Sequence, residues 1–129
     1  MGDIVVIGAG QAAASLVARL RGKGHEGAIT VIGAESEPPY QRPPLSKAYL
    51  LGEMDKDRLF LRPRSFYDDQ RITLLLGEPA VSVDTTARHV IAAGREMAYD
   101  DLVFCTGSTP RTLPEAIGGR LEGVCVVRG

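Results

Sequence analysis

Tryptophan is absent, and aromatic residues make up only 5% of the chain. That leaves too few rings for a platform on which nucleic-acid bases stack. Excess charge is absent too: 15 Lys and Arg face 16 Asp and Glu, a formal net charge of −1. Such a balance argues against a general polyanion binder, so no nucleic-acid partner is expected. No apolar run approaches the roughly 20 residues of a membrane-spanning helix, so no membrane partner is expected. The first residues, Met1-Gly2-Asp3, lack the basic flank and cleavage pattern of a signal peptide, and the default compartment is cytoplasmic. Cysteine is scarce. Cys105 and Cys125 are the two present, neither a disulfide framework nor a metal site. What remains is the composition of an ordinary globular domain, 129 residues with 44% hydrophobic and 24% charged side chains.

Ile4-Val5-Val6-Ile7 is a short β-branched run of the kind buried on both faces of a parallel sheet. Gly8-Ala9-Gly10 follows. Ala12, Ala13, Leu16, Val17 and Leu20 then recur at helical spacing, with Ser15, Arg19 and Arg21 on the other side, until Gly22 and Gly24 stop the pattern. Ile29 to Ile32 reads as a second buried strand, completing a βαβ unit. Pro38, Pro39, Pro43 and Pro44 stiffen the next loop. Ser46 is placed to cap a short helix that Gly52 ends, and residues 53–58 read as a solvated connection. Pro63 suits the first turn of another short helix carrying Phe66 and Tyr67. Ile72 to Leu76 reads as a third strand. Val81 and Val83 alternate with polar neighbours, a turn follows at Asp84-Thr85-Thr86, and two short strands flank Gly94. This is the pattern of an antiparallel meander inserted into a parallel-sheet protein. Leu102 to Cys105 reads as a fourth buried strand and Val124 to Val127 as a last short one. The fold class expected is therefore α/β, a Rossmann-like parallel sheet with an inserted antiparallel β-meander.

Gly8-x-Gly10-x-x-Ala13 lies between a strand and a helix, the context that a dinucleotide fingerprint requires. Gly8 permits the tight turn, Gly10 lets the backbone approach a pyrophosphate, and Ala13 lets helix and strand pack closely. The anion then rests on the N–H groups that open the helix. The fingerprint calls for an acid near the end of the second strand to accept from the adenosine ribose. Glu35 follows Gly10 by 25 positions, and Glu37 is a second candidate. In Tyr40-Gln41-Arg42-Pro43-Pro44-Leu45-Ser46-Lys47, two prolines restrict the backbone between two cations. Lys47 falls in the first turn of the expected helix, where the macrodipole disfavours a cation unless an electron-rich group lies near. Thr106-Gly107-Ser108-Thr109-Pro110-Arg111 follows the fourth strand and so belongs at the same sheet edge as the Gly8 loop. His25 and His89 have no catalytic or metal-binding pattern around them, and both cysteines read as buried small hydrophobes.

Together, G-A-G-Q-A-A, P-Y-Q-R-P-P-L-S-K and T-G-S-T-P-R resemble the N-terminal FAD segment of the two-dinucleotide-binding-domain flavoprotein reductases. Among these the chain is most similar to the NADH-dependent ferredoxin or rubredoxin reductases of oxygenase systems, and the resemblance covers essentially all of it. It implies that residues 1–129 are the N-terminal part of an FAD-binding domain, with the NADH-binding and C-terminal interface domains absent. It implies that Gly8, Gly10, Gln11, Ala12 and Ala13 form the FAD pyrophosphate turn, with Glu35 at the ribose and Arg42 on the cofactor. Lys47 would lie beside the flavin as the catalytic charge. The backbone at Ala80 would meet the adenine, and Thr106, Gly107 and Arg128 would close over FAD. Many relatives carry an acid where this chain has Ala34. Relatives that use thiols place a Cys-x4-Cys pair where this chain has prolines and Lys47, so electrons would leave the flavin for an external ferredoxin- or rubredoxin-like carrier. NADH would be used only by the intact enzyme. A non-catalytic module holding FAD, or only its ADP half, is the alternative reading. The oligomeric state stays open.

Overall fold

The computed structural model describes residues 1–126. Four parallel strands form the central sheet: β1 (Ile4–Ile7), β2 (Ile29–Gly33), β3 (Ile72–Leu76) and β7 (Asp101–Phe104), in the order β3-β2-β1-β7. Helix α1 (Gln11–Gly22) connects β1 to β2, and helix α2 (Arg64–Asp69) precedes β3. The meander β4 (Ala80–Asp84), β5 (His89–Ala92) and β6 (Arg95–Ala98) is a separate antiparallel sheet between β3 and β7.

Alternation along β1 explains why its four residues are all apolar. Ile4 and Val6 join Val17, Val31 and Tyr67 in a core beneath the helices. Val5 turns the other way and packs with Ile32, Val90 and Ala92 beneath the meander. A central strand covered on both faces has no position for a polar side chain. Ala13 is completely buried against this sheet, as the third position of the fingerprint requires.

Several local expectations are corrected. Ala12, expected on the apolar face of α1, is exposed. Ala14 is buried instead, so the face is rotated toward Ala13, Ala14 and Val17. Pro63 sits just before α2 with extended backbone rather than inside its first turn. Val81 does not share the face of Val83: the β4–β5 pairing shifts between Ala80 and Ser82, and Val81 is 70% exposed. A bulge inserts one residue and so reverses the side-chain parity behind it. The fourth strand is not buried: among the described residues β7 lies at the edge of the sheet, and Phe104 is 62% exposed. Cys125 is exposed rather than buried. Residues 124–126 form no strand, and Val127 lies outside the described residues. No helix among the described residues is long and apolar enough to cross a membrane.

Arg21, assigned by its spacing to the polar side of α1, ties the loops together. Its Nε donates to the Gln70 carbonyl at 2.8 Å, and its Nη1 donates to the carbonyls of His25 at 2.6 Å and Gly27 at 2.8 Å. Its Nη2 donates to the Arg71 carbonyl at 2.9 Å. One planar cation thus satisfies carbonyls after α1 and after α2, just before β2 and β3 begin. At the other end of the meander, Asp84 accepts from the N–H groups of Thr86 at 2.9 Å and Ala87 at 2.8 Å. These bonds, Ala87 first, hold its carboxyl below the usual carboxylate range.

Two predictions follow from these ties. Arg21→Ala strands four carbonyls and is expected to cost about 3 kcal/mol, read as a fall in urea midpoint at constant slope. Arg21→Lys recovers only part of the loss, since an ammonium cannot span the same fork. For Asp84 the folded value lies below the unfolded one. Its stabilisation is therefore complete above the unfolded pKa and disappears as pH falls through the folded value. The urea-midpoint advantage of the wild-type chain over Asp84→Asn should be constant near neutrality and shrink in acid; a pH-independent difference would remove the carboxylate from the account.

Candidate functional site

The carboxyl ends of β1, β2 and β7 meet in one cleft of about 510 Å³. Parallel pairing dictates this, since Ile7 is level with both Ile32 and Phe104. The glycine turn from Gly8 to Ala12 forms one wall, Gly33 to Glu35 a second, and Phe104 to Gly107 a third, with Arg42 at the mouth. This is the edge where ligands bind in open α/β sheets.

Glycine is required at Gly8 for two reasons. Its φ is +107°, and a β-carbon there would overlap the Cys105 carbonyl. Cys105 N–H donates to the Ile7 carbonyl at 2.7 Å, and Gly8 N–H donates to Ile32 at 2.7 Å, so the turn is bonded to both neighbouring strands. Gly10 differs. A β-carbon at Gly10 would meet no atom within 4 Å, so nothing in the chain itself excludes a side chain there. Gly10 is the residue before α1; no side chain caps that helix end, and its first turn holds no acid. An open space over uncapped N–H groups at the positive end of a helix dipole fits an anion such as a pyrophosphate.

Glu35 reaches the cleft and is well anchored. Its carbonyl accepts from Gly77 N–H at 2.8 Å. Its Oε1 is 2.7 Å from Arg42 Nη2, and its Oε2 accepts from the Tyr40 hydroxyl at 2.6 Å. The Arg42 guanidinium also lies 5.1 Å from the centre of the Tyr40 ring. Glu37, the second candidate acid, pairs instead with Lys56 at 2.7 Å and does not line the cleft. That bond and the Glu37 charge raise the Lys56 pKa.

The structure therefore brings Gly8, Gly10, Gln11, Ala12, Glu35, Arg42, Thr106 and Gly107 together in one cleft. Ala13 is in the core behind it. Ala80 opens β4 opposite Ala92 and is not part of the lining. Arg128 lies outside the described residues. Lys47 needs correction. No helix starts at Ser46; a 3-10 turn spans Pro43–Ser46 and Lys47 follows its end. A cation there sits at the favourable end of a short helical turn, so the macrodipole cost expected for it does not arise. The two prolines occupy the first turn of that 3-10 segment, which ends the α-helical reading at that point. The Lys47 ammonium is exposed, 3.4 Å from the Pro43 carbonyl, and outside the cleft lining.

Sequence reading missed Gly33, Phe104, Cys105 and Tyr40. A β-carbon on Gly33 would press on the Ala9 β-carbon at 2.6 Å, so β2 ends directly against the turn. The place of Gly33 at the carboxyl end of a buried strand was the available signal. Burial pushes the Cys105 thiol pKa up, which keeps this cleft residue protonated at neutral pH.

The chain is similar to known proteins along nearly its whole length. The pyridine nucleotide-disulphide oxidoreductase family model matches residues 2–128. The ferredoxin–NAD(P)(+) reductase fdr of a Sphingomonas species is 46% identical over 127 residues, 98% of this chain and 30% of that protein. The rubredoxin–NAD(+) reductase of Pseudomonas putida is 42% identical over 97% of this chain and 32% of that protein. The covalent putidaredoxin reductase–putidaredoxin complex superposes with a TM-score of 0.85 at 39% identity, covering 91% of this chain and 28% of the matched one. The chain thus spans about 30% of the length of these curated relatives. With the glycine turn, the parallel sheet and a family match from residue 2 to residue 128 in agreement, the chain belongs to the pyridine nucleotide-disulphide oxidoreductase family.

Proposed function

We propose that this chain is the N-terminal part of the FAD-binding domain of an NADH-dependent reductase that serves a ferredoxin- or rubredoxin-type carrier. The observation that carries the reading is the open space at Gly10 above the uncapped start of α1, at the carboxyl edge of the parallel sheet. The names of the relatives supply the reaction class and the carrier class.

On this reading the N–H groups of Gln11 and Ala12 hold the FAD pyrophosphate, and Ala13 keeps α1 close enough to the sheet for them to reach it. Glu35 accepts from the adenosine ribose. Arg42 contributes positive charge at the cleft mouth, Ala80 offers backbone toward the adenine, and Thr106 and Gly107 close the remaining side; Arg128 stays a candidate contact on the resemblance alone. Lys47 is the candidate cation beside the flavin. When bound, FAD would take a hydride from NADH and pass electrons singly to the carrier. The protein's part is to bind and orient.

An absorption spectrum of the purified chain after FAD loading tests the reading. A bound flavin spectrum bleached by dithionite supports it, whereas binding of ADP without FAD favours a non-catalytic nucleotide module. Gly10→Val is expected to weaken FAD binding by about tenfold or more while the circular dichroism stays unchanged, because the space its β-carbon enters is open in the chain and is where the ligand would sit. In a complete reductase carrying this segment, Lys47→Met should lower the flavin midpoint potential by roughly 30 mV, equivalent to about 1.4 kcal/mol for two electrons. An unchanged potential in a spectroelectrochemical titration would remove Lys47 from the cofactor's surroundings.

A further inference from the structure

The Glu35–Arg42 pair poses a problem that neither residue solves alone. Its side chains are 52% and 38% exposed, respectively. An exposed ion pair between two long side chains is weak, because holding both in one geometry costs rotamer freedom and water screens the charge. A pair in that state would not present a fixed acid and a fixed base to a ligand.

Tyr40 makes a contact to each of the two. Its backbone is among the most firmly held parts of the 34–47 loop. The two preceding residues, Pro38 and Pro39, are fully buried. Tyr40 forms an antiparallel bridge with Phe60. On either side of it, Gln41 N–H donates to the Leu59 carbonyl at 2.8 Å and Leu61 N–H donates to the Pro39 carbonyl at 3.0 Å. The Gln41 side-chain amide adds a bond to the Arg58 carbonyl at 2.9 Å. From this fixed point the tyrosine reaches both partners, its hydroxyl to Glu35 Oε2 at 2.6 Å and its ring to the Arg42 guanidinium at 5.1 Å. A tyrosine has only two side-chain torsions to fix, so it orders its neighbours at low entropic cost. Within this cluster Glu35 Oε2 accepts from the Tyr40 hydroxyl and Oε1 from Arg42.

We propose that Tyr40 is a positioning residue for the dinucleotide cleft: its hydroxyl orients the Glu35 carboxylate and its ring orients the Arg42 guanidinium. Tyr40 itself does not line the cleft. This inference rests on the reading of the cleft as an FAD site.

Calorimetric titration of FAD, and separately of ADP, into the full chain tests it. The variants are Tyr40→Phe, Tyr40→Leu, Glu35→Gln and the Tyr40→Phe/Glu35→Gln pair. Removing one hydrogen bond to an exposed charged group should weaken both ligands about fivefold in Tyr40→Phe. In the Glu35→Gln background the same change should cost nothing further, because the carboxylate it orients is gone. Tyr40→Leu, which also removes the ring under Arg42, should lose more than Tyr40→Phe. A merely structural tyrosine predicts a different pattern, a lowered thermal midpoint with the same affinity loss in both backgrounds. Unchanged affinity in Tyr40→Phe, or an equal loss with and without Glu35, overturns the proposal alone. A wild-type chain that binds neither FAD nor ADP overturns the assignment of the cleft, and the proposal with it.

Discussion

At the turn that leaves β1 there is no room for one β-carbon. Gly8 passes so close to the Cys105 carbonyl that any side chain would collide, and its φ of +107° is open to glycine and few others. Everything at the candidate site depends on this approach. It lets the chain leave β1 and enter α1 without parting from β7, so that the first N–H groups of the helix look out over the sheet edge. Gly33 repeats the condition from the other side, where the end of β2 presses on Ala9. The cleft is the space left when three strand ends are brought together with backbone alone.

That convergence needs a rigid frame, and two different kinds of force supply it. Burial acts from above and below: helices cover one face of β1 and the meander covers the other, each with its own apolar cluster. Hydrogen bonds act at the far end, where the Arg21 guanidinium gathers the carbonyls of His25, Gly27, Gln70 and Arg71. β2 and β3 are thus tied at their amino ends by one cation, and β1, β2 and β7 at their carboxyl ends by the glycine turn. Asp3 adds a smaller tie, accepting from Ala28 N–H at 3.1 Å while its own N–H donates to Asp100 at 2.7 Å.

The charged rim follows a different logic. Its members come from a proline-stiffened loop rather than from the sheet, and exposed side chains hold a geometry only when something pins them. Here the pin is an antiparallel bridge between Tyr40 and Phe60, two segments far apart in sequence. The same loop directs Glu37 away to Lys56, which leaves Glu35 as the acid facing the cleft.

The local sequence by itself determined the elements whose cause is local. A four-residue β-branched run with no polar position suits a strand covered on both faces, and Ile4–Ile7 is one. Gly8, Gly10 and Ala13 have roles that follow from the absence or smallness of a side chain, which a sequence states directly. The meander was legible from its alternation and its turn at Asp84. Tertiary structure decided the features that depend on a partner remote in sequence. Val81 points outward because a bulge against β5 shifts the register, and Phe104 is bare because β7 lies at a sheet edge. Arg21 looks like any solvent-facing helical arginine until two loops, one after α1 and one after α2, bring it four carbonyls. Lys47 leaves the helix expected for it because Pro43 and Pro44 build a 3-10 turn that ends at Ser46. The contacts of Tyr40 with Glu35 and Arg42 depend on where the bridge to Phe60 holds it, which its motif does not state. Periodicity and residue size act over a few positions and are written in the chain; edge position, register and the meeting of distant loops are set only when the whole sheet has formed.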